Sequence, residues 1–311
     1  MTLPAIATVV GSGTMGPGIA ATLAHKGVEV RVFDISDDAL SRARAGADQC
    51  ASVLVTINGE PTPGGSVSFG TDLAAALDGS GLVIEAVPER LDIKTDVLGK
   101  VEALVGDDVI IATNTSGIPV TTIAEQLRVP ERFIGMHWSN PPHLIPMIEV
   151  VPGEVTAQAV TDRLIEIVRA FDYLPVLEKE KAGFVENRVL YAVLRECVAL
   201  LEEGIVSPAD LDTCVKWGIG YKLAVIGPTR LLDMAGLDIY QAVSSYLNAD
   251  LDASTTTPQS ILDRIAEGRL GFKTGAGIYD YEDEAAVAAK RGEIITGLIE
   301  TRKTLSAIPV V

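Results

Sequence analysis

One segment near the start of the chain constrains the fold more than any other. The apolar, β-branched run at residues 6–10 leads directly into Gly11-Ser12-Gly13-Thr14-Met15-Gly16, and an amphipathic stretch follows at residues 19–26. A strand, a tight glycine turn and a helix in this order are typical of the first βαβ unit of a doubly wound sheet. We therefore expect a parallel sheet that is covered by helices.

The same glycine segment predicts a dinucleotide site. The first glycine permits a tight turn, the second lets the backbone approach a pyrophosphate, and the third lets the helix pack on the strand. The N-terminus of the helix adds free N–H groups and the positive end of its dipole. Asp34 ends the second apolar run, 18 residues after Gly16. A carboxylate there accepts hydrogen bonds from the ribose hydroxyls of NAD and repels the extra phosphate of NADP. We expect NAD to contact Gly11, Gly13, Thr14, Met15, Gly16 and Asp34.

Further along, the pattern predicts two domains. Short β-branched runs alternate with helical patterns, and the strand-like runs lie at residues 6–10, 28–34, 82–85, 109–112, 133–136, 147–151 and 174–177. After Gly183 this alternation stops, residues 187–203 predict a long helix, and helix-like segments follow Pro208, Pro228 and Pro258. We expect a Rossmann-type NAD-binding domain over residues 1–182 and an all-helical domain for substrate binding and dimerisation over residues 183–311.

Composition excludes several functional classes. The chain has 311 residues and a net charge of -17, with only 25 Lys and Arg, which disfavours binding to nucleic acid or to an anionic membrane. No apolar run is long enough to span a bilayer, and the N-terminus lacks the basic flank of a secretory signal. The three cysteines are far apart, so we expect neither a disulfide framework nor a metal site. A cytoplasmic location is the expectation.

A histidine and a carboxylate on neighbouring strand-like runs predict proton transfer. His137 lies between an apolar run and the rigid turn Ser139-Asn140-Pro141-Pro142, and Glu149 lies in the next run. A carboxylate that holds one imidazole nitrogen leaves the other free to exchange a proton with a substrate. His137 is therefore a candidate general acid and base.

Together with Ser116 and Asn187, these residues resemble the catalytic set of the L-3-hydroxyacyl-CoA dehydrogenase family, and their spacings of 21, 12 and 38 residues are similar too. The resemblance implies that His137 is the acid-base group, that Glu149 is its partner, and that Ser116 and Asn187 bind the reacting oxygen. It also implies a homodimer. Further positions that match the family near the cofactor are Glu89, Lys94 and Asn114.

Departures from the family pattern bear on the substrate. Gly117 stands where a second serine is usual, and Trp138-Ser139 replaces two aromatics. Residues 45–72 contain no Lys or Arg, whereas acyl-CoA members carry there a lysine-bearing helical hairpin for the coenzyme A phosphates. Residues 135–151 and 211–250 are most similar to the branch of the family that acts on a pyridine aldehyde. We therefore expect a small substrate with a carboxylate, for which His143, Lys222 and Arg230 are candidate ligands. The alternatives are an acyl-CoA dehydrogenase, an L-gulonate or L-carnitine type hydroxy acid dehydrogenase, and a non-catalytic NAD-binding structural protein.

Overall fold

The computed structural model describes residues 3–307. Within them, eight strands form one sheet in the order β3-β2-β1-β4-β5-β6-β7-β8. Strands β1 to β6 run parallel to one another, whereas β7 is antiparallel to β6 and parallel to β8. The strands are β1 (Ile6–Val10), β2 (Glu29–Phe33), β3 (Ser66–Gly70), β4 (Leu82–Glu85), β5 (Ile110–Thr113), β6 (Phe133–Trp138), β7 (Met147–Pro152) and β8 (Leu174–Leu177).

Helices connect these strands and then make up the rest of the described chain. They are α1 (Gly16–His25), α2 (Asp37–Asn58), α3 (Leu73–Leu77), α4 (Leu91–Leu104), α5 (Val120–Ala124), α6 (Gln158–Ala170), α7 (Phe184–Glu202), α8 (Pro208–Thr213), α9 (Tyr221–Ile226), α10 (Pro228–Ala235), α11 (Leu237–Leu247), α12 (Gln259–Ala266) and α13 (Glu284–Ser306). A 3₁₀ turn spans Pro130–Arg132, and a π-helical segment spans Cys214–Gly220.

The sheet carries a hydrophobic core on each face. All residues of β4, β5 and β6 are buried, as expected for central parallel strands that are covered on both sides. Because side chains alternate along a strand, Met136 and Trp138 join the core on one face while Phe133 joins the core on the other. His137 lies between Met136 and Trp138 in sequence and therefore points away from their core.

The predicted fold class is confirmed, a Rossmann-type sheet followed by a helical region. Most predicted strands begin and end within two residues of the observed ones. Strand β3 and helix α2 were not predicted. Strand β3 is an edge strand without a fully buried residue. Helix α2 buries only Leu40, Ala43, Ala47 and Leu54 along its 22 residues, and its start is marked by Ser36, whose side chain accepts the N–H of Ala39.

The chain divides into two compact units, and the division after Arg188 falls within helix α7. The predicted boundary after residue 182 stays a prediction. In the second unit, the described residues form helices and two isolated β-bridges, at Gly271 with Ala276 and at Ala276 with Asp280. None of the helices in the described part of the chain combines the length and apolar character that a membrane crossing requires.

Candidate active site

His137 and Glu149 face each other across two antiparallel strands. They are a register pair of β6 and β7, which puts both side chains on the same face of the sheet. His137 Nδ1 lies 2.6 Å from Glu149 Oε2, and both side chains are buried. This hydrogen bond orients the imidazole and directs its Nε2 away from Glu149.

The first turn of α7 holds the other carboxylate oxygen of Glu149. The backbone N–H groups of Val185 and Glu186 donate to Glu149 Oε1 at 3.0 and 2.7 Å. Free N–H groups and the helix dipole make the start of a helix a good site for a carboxylate. Both oxygens of Glu149 are therefore engaged, and the side chain cannot rotate without losing hydrogen bonds.

An unusual backbone conformation brings α7 to this position. Gly183 has a φ of +79° and Phe184 a φ of +50°, the latter in a region that bulky residues rarely adopt. The buried ring of Phe184 packs on the imidazole of His137, with 5.5 Å between ring centroids. The strained turn thus supplies both an apolar wall for the imidazole and the N–H donors for Glu149.

Ser116 and Asn187 meet close to the same turn. The side-chain amide of Asn187 donates to the carbonyl oxygen of Ser116 at 3.3 Å. Asn187 follows Glu186, whose N–H binds Glu149, so the first turn of α7 contacts both the Ser116 backbone and Glu149, the hydrogen-bond partner of His137. Their individual catalytic roles stay predictions.

Glu89 holds the backbone around Ser116. Its Oε1 accepts hydrogen bonds from Thr115 Oγ1 at 2.7 Å and from the N–H groups of Ser116 and Gly117 at 2.9 Å each. Burial opposes ionisation of Glu89, but the hydrogen bond from Thr115 and the charge of Lys94 lower its pKa below the usual value. Glu89 therefore fixes the loop from which Ser116 projects.

Lys94 lies under this loop and is fully buried. Its ammonium binds Glu85 at 2.9 Å and Glu89 at 3.2 Å, and Thr113 donates to Glu85 at 2.6 Å. These contacts give Lys94 a structural role in supporting Glu89. The cofactor-binding role predicted for Glu89 and Lys94 stays a prediction.

The glycine loop has the geometry that a dinucleotide requires. Gly11 has a φ of +111°, and a Cβ there would lie 2.5 Å from the carbonyl oxygen of Ala86. A Cβ at Gly16 would lie 2.3 Å from the carbonyl oxygen of Gly11, whereas a Cβ at Gly13 meets no atom within 4 Å. Gly11 and Gly16 are therefore needed by the fold itself. Gly13 leaves space above the start of α1, where Thr14 and Met15 lead into the helix.

Asp34 anchors the loop as well as facing the groove. Its Oδ2 accepts the N–H and the hydroxyl of Ser12 at 2.9 and 2.6 Å. A groove of about 480 Å³ runs past Gly13, Thr14, Asp34 and His143. Of the three candidate ligands for the substrate carboxylate, His143 therefore lies beside the cofactor loop. Lys222 and Arg230 lie on α9 and α10 of the second unit.

Asn114 links two strand ends. Its Oδ1 accepts the N–H of Trp138 at 2.9 Å, and its own N–H donates to the carbonyl oxygen of Glu85 at 2.8 Å. This places Asn114 beside the strand that carries His137. Its predicted contact with the cofactor stays a prediction.

Sequence reasoning missed Glu186 and the reason for Ser139. The Ser139 hydroxyl donates to Glu186, and carboxylate oxygens of Glu186 and Glu149 lie within 4.8 Å of each other and of a His137 nitrogen. The sequence feature that could have pointed to this contact is the presence of polar residues at positions 139 and 186, next to His137 and to the predicted helix start. The 2.6 Å distance from His137 to Glu149 is shorter than the roughly 3.3 Å between two ligands of a tetrahedral zinc ion. The arrangement thus favours a shared proton over a shared metal.

Comparison with known proteins identifies the family. The model of the 3-hydroxyacyl-CoA dehydrogenase NAD-binding domain matches residues 6–181, and the model of the C-terminal domain of the same family matches residues 183–281. The 3-hydroxybutyryl-CoA dehydrogenase of Clostridioides difficile is 32% identical over 279 residues, which cover 88% of this chain and 98% of that enzyme.

A second relative is more similar. The 5-formyl-3-hydroxy-2-methylpyridine 4-carboxylate 5-dehydrogenase of Mesorhizobium japonicum is 47% identical over 300 residues, which cover 96% of this chain and 97% of that enzyme. A crystal structure of a 5-dehydrogenase for the same compound, described as an NAD⁺-dependent dismutase, matches with a TM-score of 0.94 and 45% identity over 99% of this chain and 100% of that one. The similarity to a pyridine-aldehyde enzyme predicted from the motifs is confirmed. The chain therefore belongs to the 3-hydroxyacyl-CoA dehydrogenase family and is an NAD-dependent dehydrogenase.

Proposed function

We propose that this dehydrogenase acts on 5-formyl-3-hydroxy-2-methylpyridine 4-carboxylate, or on a closely similar ring aldehyde that carries a carboxylate. The observation that carries the proposal is the 47% identity over nearly the whole chain to the Mesorhizobium enzyme of that name. His143, a candidate ligand of the substrate carboxylate, lines the groove beside the cofactor loop.

The segment after β2 argues against an acyl-CoA substrate. Residues 45–72 contain no Lys or Arg, and they fold into the end of α2, a loop and the edge strand β3. The several phosphate charges of coenzyme A need cations, usually Lys or Arg, at their binding site. With a net charge of -17 the chain has few cations elsewhere to replace them.

In the proposed oxidation, His137 acts on the hydrated aldehyde. NAD, when bound, accepts the hydride in oxidation and in its reduced form returns a hydride in reduction. His137 Nε2 takes the proton from one hydrate hydroxyl while the carbon loses its hydride, and the carboxylic acid that forms releases its own proton to solvent. Ser116 and Asn187 donate hydrogen bonds to the oxygen that becomes the carbonyl oxygen. Glu149 stabilises the imidazolium through Nδ1.

The same residues serve the reduction of a second aldehyde molecule. The His137 imidazolium donates its proton to the carbonyl oxygen, and an alcohol forms. The two half-reactions convert two aldehydes and one water into a carboxylate, an alcohol and a proton.

A covalent route through a thiol has little support. Cys50 lines the groove, but burial raises the pKa of its thiol to about 11, so the thiol is not a ready nucleophile.

We expect Gly13→Ala to weaken NAD binding by about tenfold or more, without lowering thermal stability. The added methyl meets no protein atom within 4 Å but occupies space that we assign to the pyrophosphate. The matched control is Gly16→Ala, whose methyl would clash with the Gly11 carbonyl oxygen and should lower both stability and affinity. Calorimetric NAD titration and thermal unfolding measure the two effects. An unchanged NAD affinity in Gly13→Ala contradicts the cofactor assignment.

The substrate proposal is tested by a panel followed through NADH absorbance. We expect oxidation of the pyridine aldehyde with NAD, its reduction with NADH, weak use of NADP because of Asp34, and poor reduction of acetoacetyl-CoA. Efficient use of acetoacetyl-CoA or of L-gulonate, with no activity on the pyridine aldehyde, would reverse the assignment. NAD binding without turnover of any member of the panel would favour the structural-protein alternative.

We also propose a cytoplasmic homodimer. Exposed apolar side chains in the second unit, among them Trp217, Tyr221 and Tyr240, support an interface there. Sedimentation of the purified protein at several concentrations tests the dimer.

A further inference from the structure

Glu178 is a carboxyl group close to the His137 and Glu149 pair for which the mechanism above has no use. It directly follows β8, and its N–H extends the sheet by donating to the carbonyl oxygen of Val150 at 3.2 Å. Glu149 pairs with Val176 in the sheet register, and Glu178 is two residues after Val176. Since side chains alternate along a strand, Glu178 points to the same face of the sheet as Glu149 and His137.

Glu178 is a half-buried residue whose carboxyl oxygens are both shielded from solvent. Both of its oxygens are inaccessible to solvent, and neither has a hydrogen-bond partner among residues 3–307. A buried carboxylate without donors is strongly unfavourable, so such a group retains its proton. Glu149 does not compete for this role, because its own two oxygens accept three hydrogen bonds.

The net effect of the charges around Glu178 also favours its protonated form. The groups that act on it are Glu149 on β7, His137 on β6 and the N–H of Val185 at the start of α7. Glu186, also at the start of α7, accepts the hydroxyl of Ser139. On its own segment, Glu180 turns to the N–H of Thr121, and Lys179 is exposed. Burial, followed by the charge of Glu149, raises the pKa of Glu178 from 4.5 to about 7. The nearby N–H of Val185, which donates its hydrogen bond to Glu149, and the charge of His137 oppose this rise with smaller effects.

We propose that Glu178 is a positioning residue that carries a proton when His137 is neutral and releases it when His137 becomes an imidazolium. The proposal rests on the acid-base role that we assign to His137. When His137 accepts the proton of a substrate hydroxyl, its positive charge stabilises a carboxylate at Glu178, whose proton goes to solvent. By thermodynamic linkage, an ionised Glu178 in turn stabilises the imidazolium.

The direct test is a pH titration of the intact protein labelled with carbon-13 at the glutamate carboxyls. The Glu178 signal is assigned by its loss in Glu178→Gln. We expect it to titrate near pH 7, well above the ordinary glutamate value of 4.5. A Glu178 signal that titrates at or below about 5 would overturn the proposal.

The second test is the pH dependence of kcat/KM for oxidation. In the parent, the negative charge of Glu178 stabilises the imidazolium, so His137 becomes a neutral base only at a higher pH. Glu178→Gln should therefore move the midpoint of the acidic limb to lower pH by about half a unit or more, with little change in the plateau. Glu180→Gln, two residues away, should leave the midpoint unchanged. Superimposed profiles of parent and Glu178→Gln, or equal shifts in both variants, would contradict the coupling.

Thermal unfolding gives a readout that is independent of activity. Because its folded pKa is raised, Glu178 stabilises the fold fully below 4.5 and loses this contribution as the pH rises through about 7. Glu178→Gln lacks this loss, so its stability relative to the parent should increase with pH over that window. A difference that is constant with pH would contradict the proposal. Titration and unfolding need no substrate, so a wrong substrate assignment would leave both results intact.

Discussion

Replacing His137 with Asn should lower turnover of the pyridine aldehyde by at least about a hundredfold, while the protein stays folded and binds NAD. The Asn side chain can still donate a hydrogen bond to Glu149, so the strand pair is preserved. It cannot take the proton of a substrate hydroxyl, and the proton must then leave to water. Steady-state rates in both directions, with circular dichroism and NAD titration, measure these effects.

The matched control is His25→Asn. His25 is also a buried histidine, at the end of α1 that is remote from the glycine loop, and burial lowers its pKa. We expect this variant to lose some stability but to keep turnover within a few-fold of the parent. Turnover by His137→Asn within a few-fold of the parent would show that another group moves the proton.

Replacing Glu149 with Gln should lower turnover on the order of a hundredfold or more and leave the fold intact. The amide oxygen of Gln can still accept the N–H groups of Val185 and Glu186, since it takes the place of Oε1. The amide NH₂ then faces His137 Nδ1 and forces that nitrogen to act as acceptor. The ring proton is then carried by Nε2. A protonated Nε2 cannot accept the proton of the substrate hydroxyl.

Two measurements separate this tautomer effect from a loss of structure. Nitrogen-15 shifts of the histidine ring should report the exchange of the protonated nitrogen in Glu149→Gln. Glu180→Gln makes the same isosteric change at a carboxylate that binds the N–H of Thr121, and it should leave both the tautomer and the turnover unchanged. A normal rate in Glu149→Gln would mean that the imidazole needs no carboxylate to orient it.

Part of the candidate site could be predicted from local patterns, whereas Ser116, Asn187, Glu89, Lys94 and Asn114 were predicted from the resemblance to the family. Neighbouring residues alone reveal three features: the strand that leads into Gly11 to Gly16, the acid at Asp34, and the histidine between a strand and a proline turn. Strand β3 was missed because an edge strand needs no continuous apolar run, and α2 was missed because a helix that packs through four residues gives a weak apolar pattern.

Sequence by itself determined the Rossmann-type architecture and the glycine loop, and it pointed to His137 and Glu149 as a candidate pair, since periodicity and motif spacing are local properties of the chain. Only the tertiary structure decided how this pair is held. The donors to Glu149 come from Val185 and Glu186, more than thirty residues away, and reach it through the strained turn at Phe184. Lys94 and Glu178 likewise acquire their roles from burial next to other charges. Burial and charge pairing depend on which distant segments meet, and this is a property of the packed fold rather than of any local pattern.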